Sequence, residues 1–297
     1  MRCPACLDHL GPSGFVGLAS HLAQAAARSD SAHVRWLNQN ISRSKMPTEE
    51  LSGRLERYYA LGDRSISDWI IARFVERFYG PVPHPFVRAL QHPSRATLLG
   101  YVVEHQHFLR QWVRSCAYIM ARTDRPEVVH YELDNLTTEY GGFGPDRVAH
   151  YELLLQMGES LGLPRARTLA MPPLPATRAG IEGWQRIATE THWVEALAAM
   201  HSLELIANRD LVDVCASSRY FDPAILSGDS ITDASKAFLR EGYEADVGHS
   251  GGALALVRQN ATDPELVRDV QSTFLRSVDL FDDYLIARLE RGREFED

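Results

Sequence analysis

Apolar residues recur along most of the chain at the three- and four-residue spacing of amphipathic helices. Alternating β-branched runs and Asn-Gly or Asp-Gly turns are absent from the sequence, so no strand or hairpin is predicted. We therefore expect an all-α protein. The predicted helices span residues 15–28, 48–61, 66–79, 94–122, 126–140, 146–162, 177–189, 192–213, 231–257 and 263–290.

Proline- and glycine-rich breaks separate these helices but do not divide the chain into two halves. The segment MPPLPA at residues 171–176 is the best candidate linker, yet it is short and a helical pattern resumes directly after it. The sequence therefore predicts one helical domain over residues 46–297, preceded by an N-terminal extension over residues 1–45.

The composition and net charge of the chain limit the kinds of molecule that it is expected to bind. The chain has 297 residues, of which 45% are hydrophobic and 24% charged, and its net charge is −8. This charge argues against nucleic acid or an anionic membrane as the main partner. The sequence has no apolar run of roughly 18–20 residues and no pattern typical of a secretory signal, so a cytoplasmic location is expected.

The four cysteines do not form a disulfide framework. Cys3 and Cys6 make a CxxC motif with His9 three residues further on, which resembles half of a zinc knuckle. A knuckle needs a second pair of ligands, and Cys116 and Cys215 are not closely spaced. From the sequence we interpret Cys3 and Cys6 as structural or incidental, with the half-knuckle as the alternative.

Charged and imidazole side chains inside apolar helix faces are the candidate functional residues, because a buried ion is costly unless it is paired or bound to a metal. They are Glu139, His150, Glu204, Asp246 and His249. Each has an ordinary alternative, such as a core histidine, a buried Asp–His pair or an exposed carboxylate. Together, three carboxylates and two imidazoles suit an iron or manganese site with open positions for dioxygen.

A ferritin-like diiron site uses two Glu-x-x-His motifs, and the sequence contains two pairs with this spacing. Glu104–His107 and Glu127–His130 have the spacing, but that fold interposes other helices between its two motifs. We interpret both pairs as coincidental ligand motifs. Glu104 and His107 are nevertheless expected to line a substrate pocket.

Three stretches resemble the heme-oxygenase-like diiron oxidases. They are LDNLTTEYGGFGPDRVAHYELLLQMGESLGL at 133–163, ALAAMHSLELIAN at 196–208 and YEADVGHSGGAL at 243–254. The resemblance extends roughly from Pro85 to Val257. It implies a heme-oxygenase-like helical bundle without heme, in which Glu139, His150, Glu204, Asp246 and His249 are the iron ligands and the catalytic residues.

The resemblance also implies an activity. Members use Fe(II), two ions per chain, with dioxygen as co-substrate and an external reductant. Known outcomes include N-oxygenation and oxidative C–C cleavage of amines or amino acids, often in natural-product biosynthesis. The same fold hosts thiaminase II-like and pyrroloquinoline-quinone synthase-like proteins that need no metal. A metal-free enzyme acting on a small molecule and a non-catalytic binding protein are therefore the alternatives, and a homodimer is an open option.

One position departs from the family pattern. The closing motif expects a histidine four residues before Asp246, and Gly242 stands there. Since glycine offers no ligand, the second iron is expected to be weakly held.

Overall fold

The computed structural model describes residues 1–11, 13–41, 43, 45–141 and 148–296, without the side chains of residues 244–249. Over these residues the chain is helical, and an isolated bridge between Arg2 and His9 is the only β-type pairing described. The all-α prediction is confirmed. The α-helices are α1 (Gly14–Ala27), α2 (Ser31–Asn40), α3 (Thr48–Tyr59), α4 (Ile66–Phe78), α5 (Pro85–Gln91), α6 (Arg95–Arg122), α7 (Pro126–Leu136), α8 (His150–Ser160), α9 (Arg165–Ala170), α10 (Pro175–Glu190), α11 (Trp193–His201), α12 (Asp233–Asn260) and α13 (Pro264–Arg293).

Two predicted helices change type near their ends. The helix expected over 126–140 is α-helical only to Leu136 and continues as a π-helix over Thr137–Gly141. The helix expected over 192–213 ends at His201 and continues as 3₁₀-helices over Ser202–Ile206 and Arg209–Val214. The short helices α2, α5 and α9 were not predicted.

Helices α6 and α13 form the centre of the bundle and approach each other very closely. A Cβ atom on Gly100 would lie 2.1 Å from the carbonyl oxygen of Arg288 and 2.6 Å from the backbone nitrogen of Gly292. On the other helix, a Cβ atom on Gly292 would lie 2.9 Å from the carbonyl oxygen of Ala96. The two glycines therefore let the two backbones pack at a distance that no other residue type permits.

The N-terminal segment is packed against the bundle. Helix α1 lies against α3, and the side chain of Arg2 donates to the buried carboxylate of Glu195 in α11 at 2.8 Å. The backbone nitrogen of Arg2 donates to Asp269 in α13 at 2.6 Å. Whether residues 1–45 form a separate unit remains a prediction.

Among the helices described, none combines the length and the apolar character that crossing a bilayer requires.

Substituting Gly100→Ala should destabilise the fold. The new methyl group would meet backbone atoms that cannot rotate away, so overpacking should outweigh the gain in helix propensity, for a net loss of roughly 2 kcal/mol. Gly53→Ala in α3 is the matched control, because its Cβ would meet only Arg57 Nη1, at 3.6 Å. Urea denaturation measures both, and equal stability of Gly100→Ala and wild type would contradict the close crossing.

Candidate functional site

A cavity of about 60 Å³ lies between α6, α8, α12, α13 and the 3₁₀-helix Ser202–Ile206. Its walls are largely apolar and include six aromatic residues, and five polar side chains converge on it. The aromatic residues are Tyr101, Phe108, Trp112, Tyr220, Phe238 and Phe281, and the polar residues are His105, Glu139, His150, Glu204 and Arg288. An apolar cavity with a few convergent polar groups is the usual form of a small-molecule site.

Glu139 reaches the cavity from the π-helix that follows α7. π-Helical turns occur often at functional sites, because the wider turn re-aims a side chain. Glu139 is 7% exposed, and its Oε1 atom lies 3.4 Å from Nδ1 of His150. Its Oε2 atom is buried and has no hydrogen-bond partner among the described residues. Burying a carboxylate oxygen without a hydrogen-bond partner is costly, so a bound cation or ligand beside it would be stabilising.

Glu204 is held by a buried histidine. Nδ1 of His201 lies 3.1 Å from Oε2 of Glu204, and Nε2 of His201 lies 3.0 Å from Oε1 of Glu132. Burial favours neutral His201, but the charge of Glu132 and the hydrogen bonds to Glu132 and Glu204 raise the pKa of His201 to about 10. His201 is therefore cationic at neutral pH and donates to both carboxylates, which fixes the orientation of Glu204.

His105 and Arg288 form a second polar cluster in the cavity wall. Nη2 of Arg288 lies 2.8 Å from Nδ1 of His105, and the hydroxyl of Tyr284 is also 2.8 Å from that nitrogen. A guanidinium group can only donate, so Nδ1 of His105 accepts and the ring proton is on Nε2. Burial, followed by the charges of Arg288 and His150, lowers the pKa of His105 well below its usual value.

Arg288 is a buried cation, and no carboxylate among the described residues pairs with it. It is 2% exposed, donates to the hydroxyls of Tyr220 and Tyr284, and lies 4.0 Å from the ring centre of Tyr101. Its Nε atom has no hydrogen-bond partner in the described part of the chain, and no described carboxylate pairs with it. Phenols and rings compensate a buried charge only in part, so the cavity favours an anionic group beside Arg288.

The predicted ligands divide into two groups. Glu139, His150 and Glu204 all line the one cavity, although they approach it from different parts of the chain. Asp246 and His249 belong to α12, but their side chains lie outside the described residues. Their part in the site therefore remains a prediction.

Glu104 and His107 are not among the described residues that line this cavity, and their contact with substrate remains a prediction. Glu104 is fully buried and pairs with Arg291 of α13 at 2.7 Å, and Nε2 of His107 lies 3.1 Å from the carbonyl oxygen of Met171. The cavity-facing stripe of α6 instead includes His105. One residue along a helix is a rotation of about 100°, which directs Glu104 to Arg291 while His105 faces the cavity.

Three residues of the cluster were missed in the sequence. His201 belongs to an apolar stretch of the sequence, but it stands three residues before Glu204 and thus on the same helix face. Arg288 continues the apolar stripe of Phe281 and Tyr284 at helical spacing, which is a detectable signal for a buried cation. Nothing in the sequence marks His105 as a site residue, because its apolar neighbours suit an ordinary core histidine equally well.

Solved structures support a heme-oxygenase-like fold for this helical bundle. A domain of unknown function with a heme oxygenase-like fold from Shewanella denitrificans OS217 has a TM-score of 0.56 at 18% identity, covering 84% of this chain and 95% of that one. A TenA homologue protein from P. horikoshii OT3 has a TM-score of 0.56 at 15% identity, covering 81% and 98%. A CADD-like protein of unknown function from Nostoc punctiforme PCC 73102 has a TM-score of 0.56 at 14% identity, covering 78% and 96%.

The sequence model of the TENA/THI-4/PQQC family matches residues 69–291, so the chain belongs to that family. This membership and the fold confirm the predicted heme-oxygenase-like bundle. A second model, a C2H2 type zinc-finger in one copy, is similar to residues 2–60. The comparison with curated proteins found no match.

Proposed function

We propose that the protein is a non-heme iron enzyme that uses dioxygen to oxidise a small metabolite carrying a carboxylate. The observation that carries the proposal is the buried Oε2 atom of Glu139, which has no hydrogen-bond partner in the part of the chain that the structure describes and lies in a cavity that also contains His150 and Glu204. A catalytic metal is the occupant that best matches a carboxylate oxygen of this kind.

The donor set fits iron. Carboxylate and imidazole side chains are compatible with Fe(II) or Mn(II), and no thiol lines the described part of the cavity. Glu139, His150 and Glu204 would hold the metal, with Asp246 and His249 as further ligands expected from the family resemblance. Bound iron would supply dioxygen activation, with electrons from an external reductant.

The surrounding residues prepare the proposed ligands. His201 donates to Glu204 and is itself anchored by Glu132, which is the hydrogen-bonded second layer that orients metal ligands. Phe108, Trp112 and Phe238 give the cavity apolar walls, and surroundings of low polarity strengthen the electrostatic interactions of the ionisable groups beside them.

Arg288 supports a substrate with a carboxylate. A guanidinium group forms strong hydrogen bonds with carboxylates, and the buried Nε atom of Arg288 has no hydrogen-bond partner among the residues that the structure describes. The cavity wall beside it is aromatic, so the remainder of the substrate would be apolar or aromatic. N-oxygenation or oxidative C–C cleavage of an amino acid is the class of reaction that we favour.

A metal-free enzyme of the same fold is the second candidate, and the hydrogen bond from His201 to Glu204 favours it. That bond already compensates part of the Glu204 charge without a metal. In this reading the acids and imidazoles position an organic substrate. No serine, threonine, cysteine or lysine lines the described cavity, so a covalent mechanism would require a carboxylate, histidine or tyrosine nucleophile.

Iron binding should depend on Glu139 and His150. After anaerobic loading with Fe(II), Glu139→Gln and His150→Ala should each bind iron roughly tenfold or more weakly than wild type, because each removes a ligand atom. Glu127→Gln and His130→Ala are matched controls, since both residues are exposed on α7. Iron per chain is measured by elemental analysis after desalting.

The family-implied ligands extend the same experiment. His249→Ala and Asp246→Ala should also lower iron content. Iron content equal to wild type in Glu139→Gln and His150→Ala would reject the cavity as an iron site and favour the metal-free reading.

Gly242→His should strengthen the binding of a second iron. Gly242 lines the cavity, and a Cβ atom there would lie 3.8 Å from Cε1 of His150, so an imidazole at 242 would project beside the proposed site. We expect wild type to bind one iron, or two with unequal affinity, and the variant to bind the second more tightly. Fe(II) titration followed by calorimetry and Mössbauer spectroscopy measures this. Gly242→Ala is the control that adds bulk but no ligand, and two equally tight irons in wild type would contradict the prediction.

Carboxylates should accelerate dioxygen uptake by the iron-loaded protein. Amino acids and fatty acids are compared with their primary amides, and uptake is compared with that of free Fe(II). For an active carboxylate, Arg288→Lys should mainly raise KM, and Arg288→Met should lower kcat/KM at least about thirtyfold, because an anion in the cavity loses its partner. Arg293→Met, on the exposed side of the same helix, should behave as wild type. Equal activity of acids and amides would refute the assignment of Arg288.

A further inference from the structure

Four potential metal ligands meet in the N-terminal segment, far from the cavity in sequence. Ligand atoms of Cys3, Cys6, His21 and His33 all lie within 4.8 Å of one another. Cys3 and His33 are buried, and the other two are partly buried. We propose that these residues form a structural zinc site that fastens the N-terminal segment to the helical bundle.

The separations suit tetrahedral zinc. Zinc–sulfur bonds near 2.3 Å and zinc–nitrogen bonds near 2.0–2.1 Å place the ligand atoms of a tetrahedron roughly 3.3–3.8 Å apart. The Sγ atom of Cys6 lies 3.5 Å from Nε2 of His21, and the two Nε2 atoms of His21 and His33 lie 3.0 Å apart. Two sulfurs and two imidazole nitrogens make a complete structural set with no open position.

The turn that carries the cysteines has the geometry of a metal-binding loop. The backbone nitrogen of Ala5 points at Sγ of Cys3 at 3.4 Å, and the backbone nitrogen of Leu7 donates to the carbonyl oxygen of Cys3 at 2.8 Å. Leu7 has φ of 69°, the left-handed conformation that closes such a turn. Donation from a backbone N–H to sulfur stabilises the thiolate that a metal requires.

His33 is oriented by a carboxylate in the manner of zinc ligands. Nδ1 of His33 lies 2.6 Å from Oδ1 of Asp30. This contact places the ring proton on Nδ1 and leaves the lone pair of Nε2 directed towards His21. A carboxylate behind a ligating histidine is the usual second layer of a zinc site.

The arrangement points to a structural role rather than nucleic-acid recognition. His21 is on α1 and His33 is on α2, eleven residues intervening between them, whereas a C2H2 finger has both histidines on one helix. The buried face of α1, including Leu18 and Leu22, is packed in the core and is not free to enter a groove. A metal there would join the Cys3–Leu7 turn to two helices at once.

The turn is also connected to the bundle. Arg2, next to Cys3, donates to the buried carboxylate of Glu195, which also accepts from the hydroxyl of Thr273 at 2.6 Å. If the turn loosens, Glu195 loses its cationic partner in a buried position, which is destabilising. Loss of zinc should therefore lower the stability of the whole chain.

The test is metal content and ligand identity in the full-length protein. Protein purified under reducing conditions and supplied with zinc should hold one zinc per chain at the site. X-ray absorption at the zinc edge should show two sulfur and two nitrogen neighbours, and Co(II) substitution should give the visible bands of tetrahedral thiolate coordination. These readouts do not depend on iron in the cavity, whose described donors include no sulfur.

Variants assign the ligands. Cys3→Ser and Cys6→Ser should lose the zinc and lower the melting temperature, and Asp30→Asn should weaken zinc binding about 10- to 100-fold. His9→Gln is the matched control, because His9 is exposed and is not one of the four ligands. Where a variant does not fold, the wild-type absorption spectra decide. Absence of zinc after reconstitution, or a zinc shell without two sulfurs, would overturn the proposal.

Discussion

The close crossing of α6 and α13 is the contact on which the rest of the bundle depends. Because Gly100 allows the carbonyl of Arg288 to approach so closely, the residues one turn further along both helices come into register. His105 then meets Tyr284 and Arg288 in the wall of the cavity. A larger residue at the crossing would separate the helices and admit water to the guanidinium, which would cancel the electrostatic character of the cavity.

The sequence predicts the fold class and the long helices, because an apolar stripe sustained over several turns has a clear period. The seven-residue α5 and the six-residue α9 span fewer than two turns, so they carry no comparable signal. The helix types around Glu139 and Glu204 could not be predicted either. A π- or 3₁₀-turn differs from an α-helix in hydrogen bonding rather than in composition, and tertiary packing selects it.

Site residues could be predicted where an ionisable side chain on an apolar helix face indicates burial. They were missed where the role of a side chain depends on which residue packs against it. Glu104 and Glu204 both stand on apolar faces in the sequence, but one meets Arg291 and the other meets His201 and the cavity. Which helix lies opposite is a property of the bundle and is not encoded in the spacing within one helix. For the same reason, the spacing of residues did not predict that His21 and His33 lie close to Cys3, since the two histidines belong to different helices.

The two proposed metal sites differ in chemistry in a way that would keep their metals apart. Zinc binds most nitrogen, oxygen and sulfur sites more tightly than Fe(II), so a chain that uses both must separate them by ligand type and geometry. The N-terminal cluster offers thiolates and a closed set of four ligands, which favour zinc. The cavity offers carboxylates and imidazole and leaves room for substrate beside Arg288, which suits a metal with open positions. If the N-terminal cluster fills first, it would take up zinc, and the cavity would then remain open to iron.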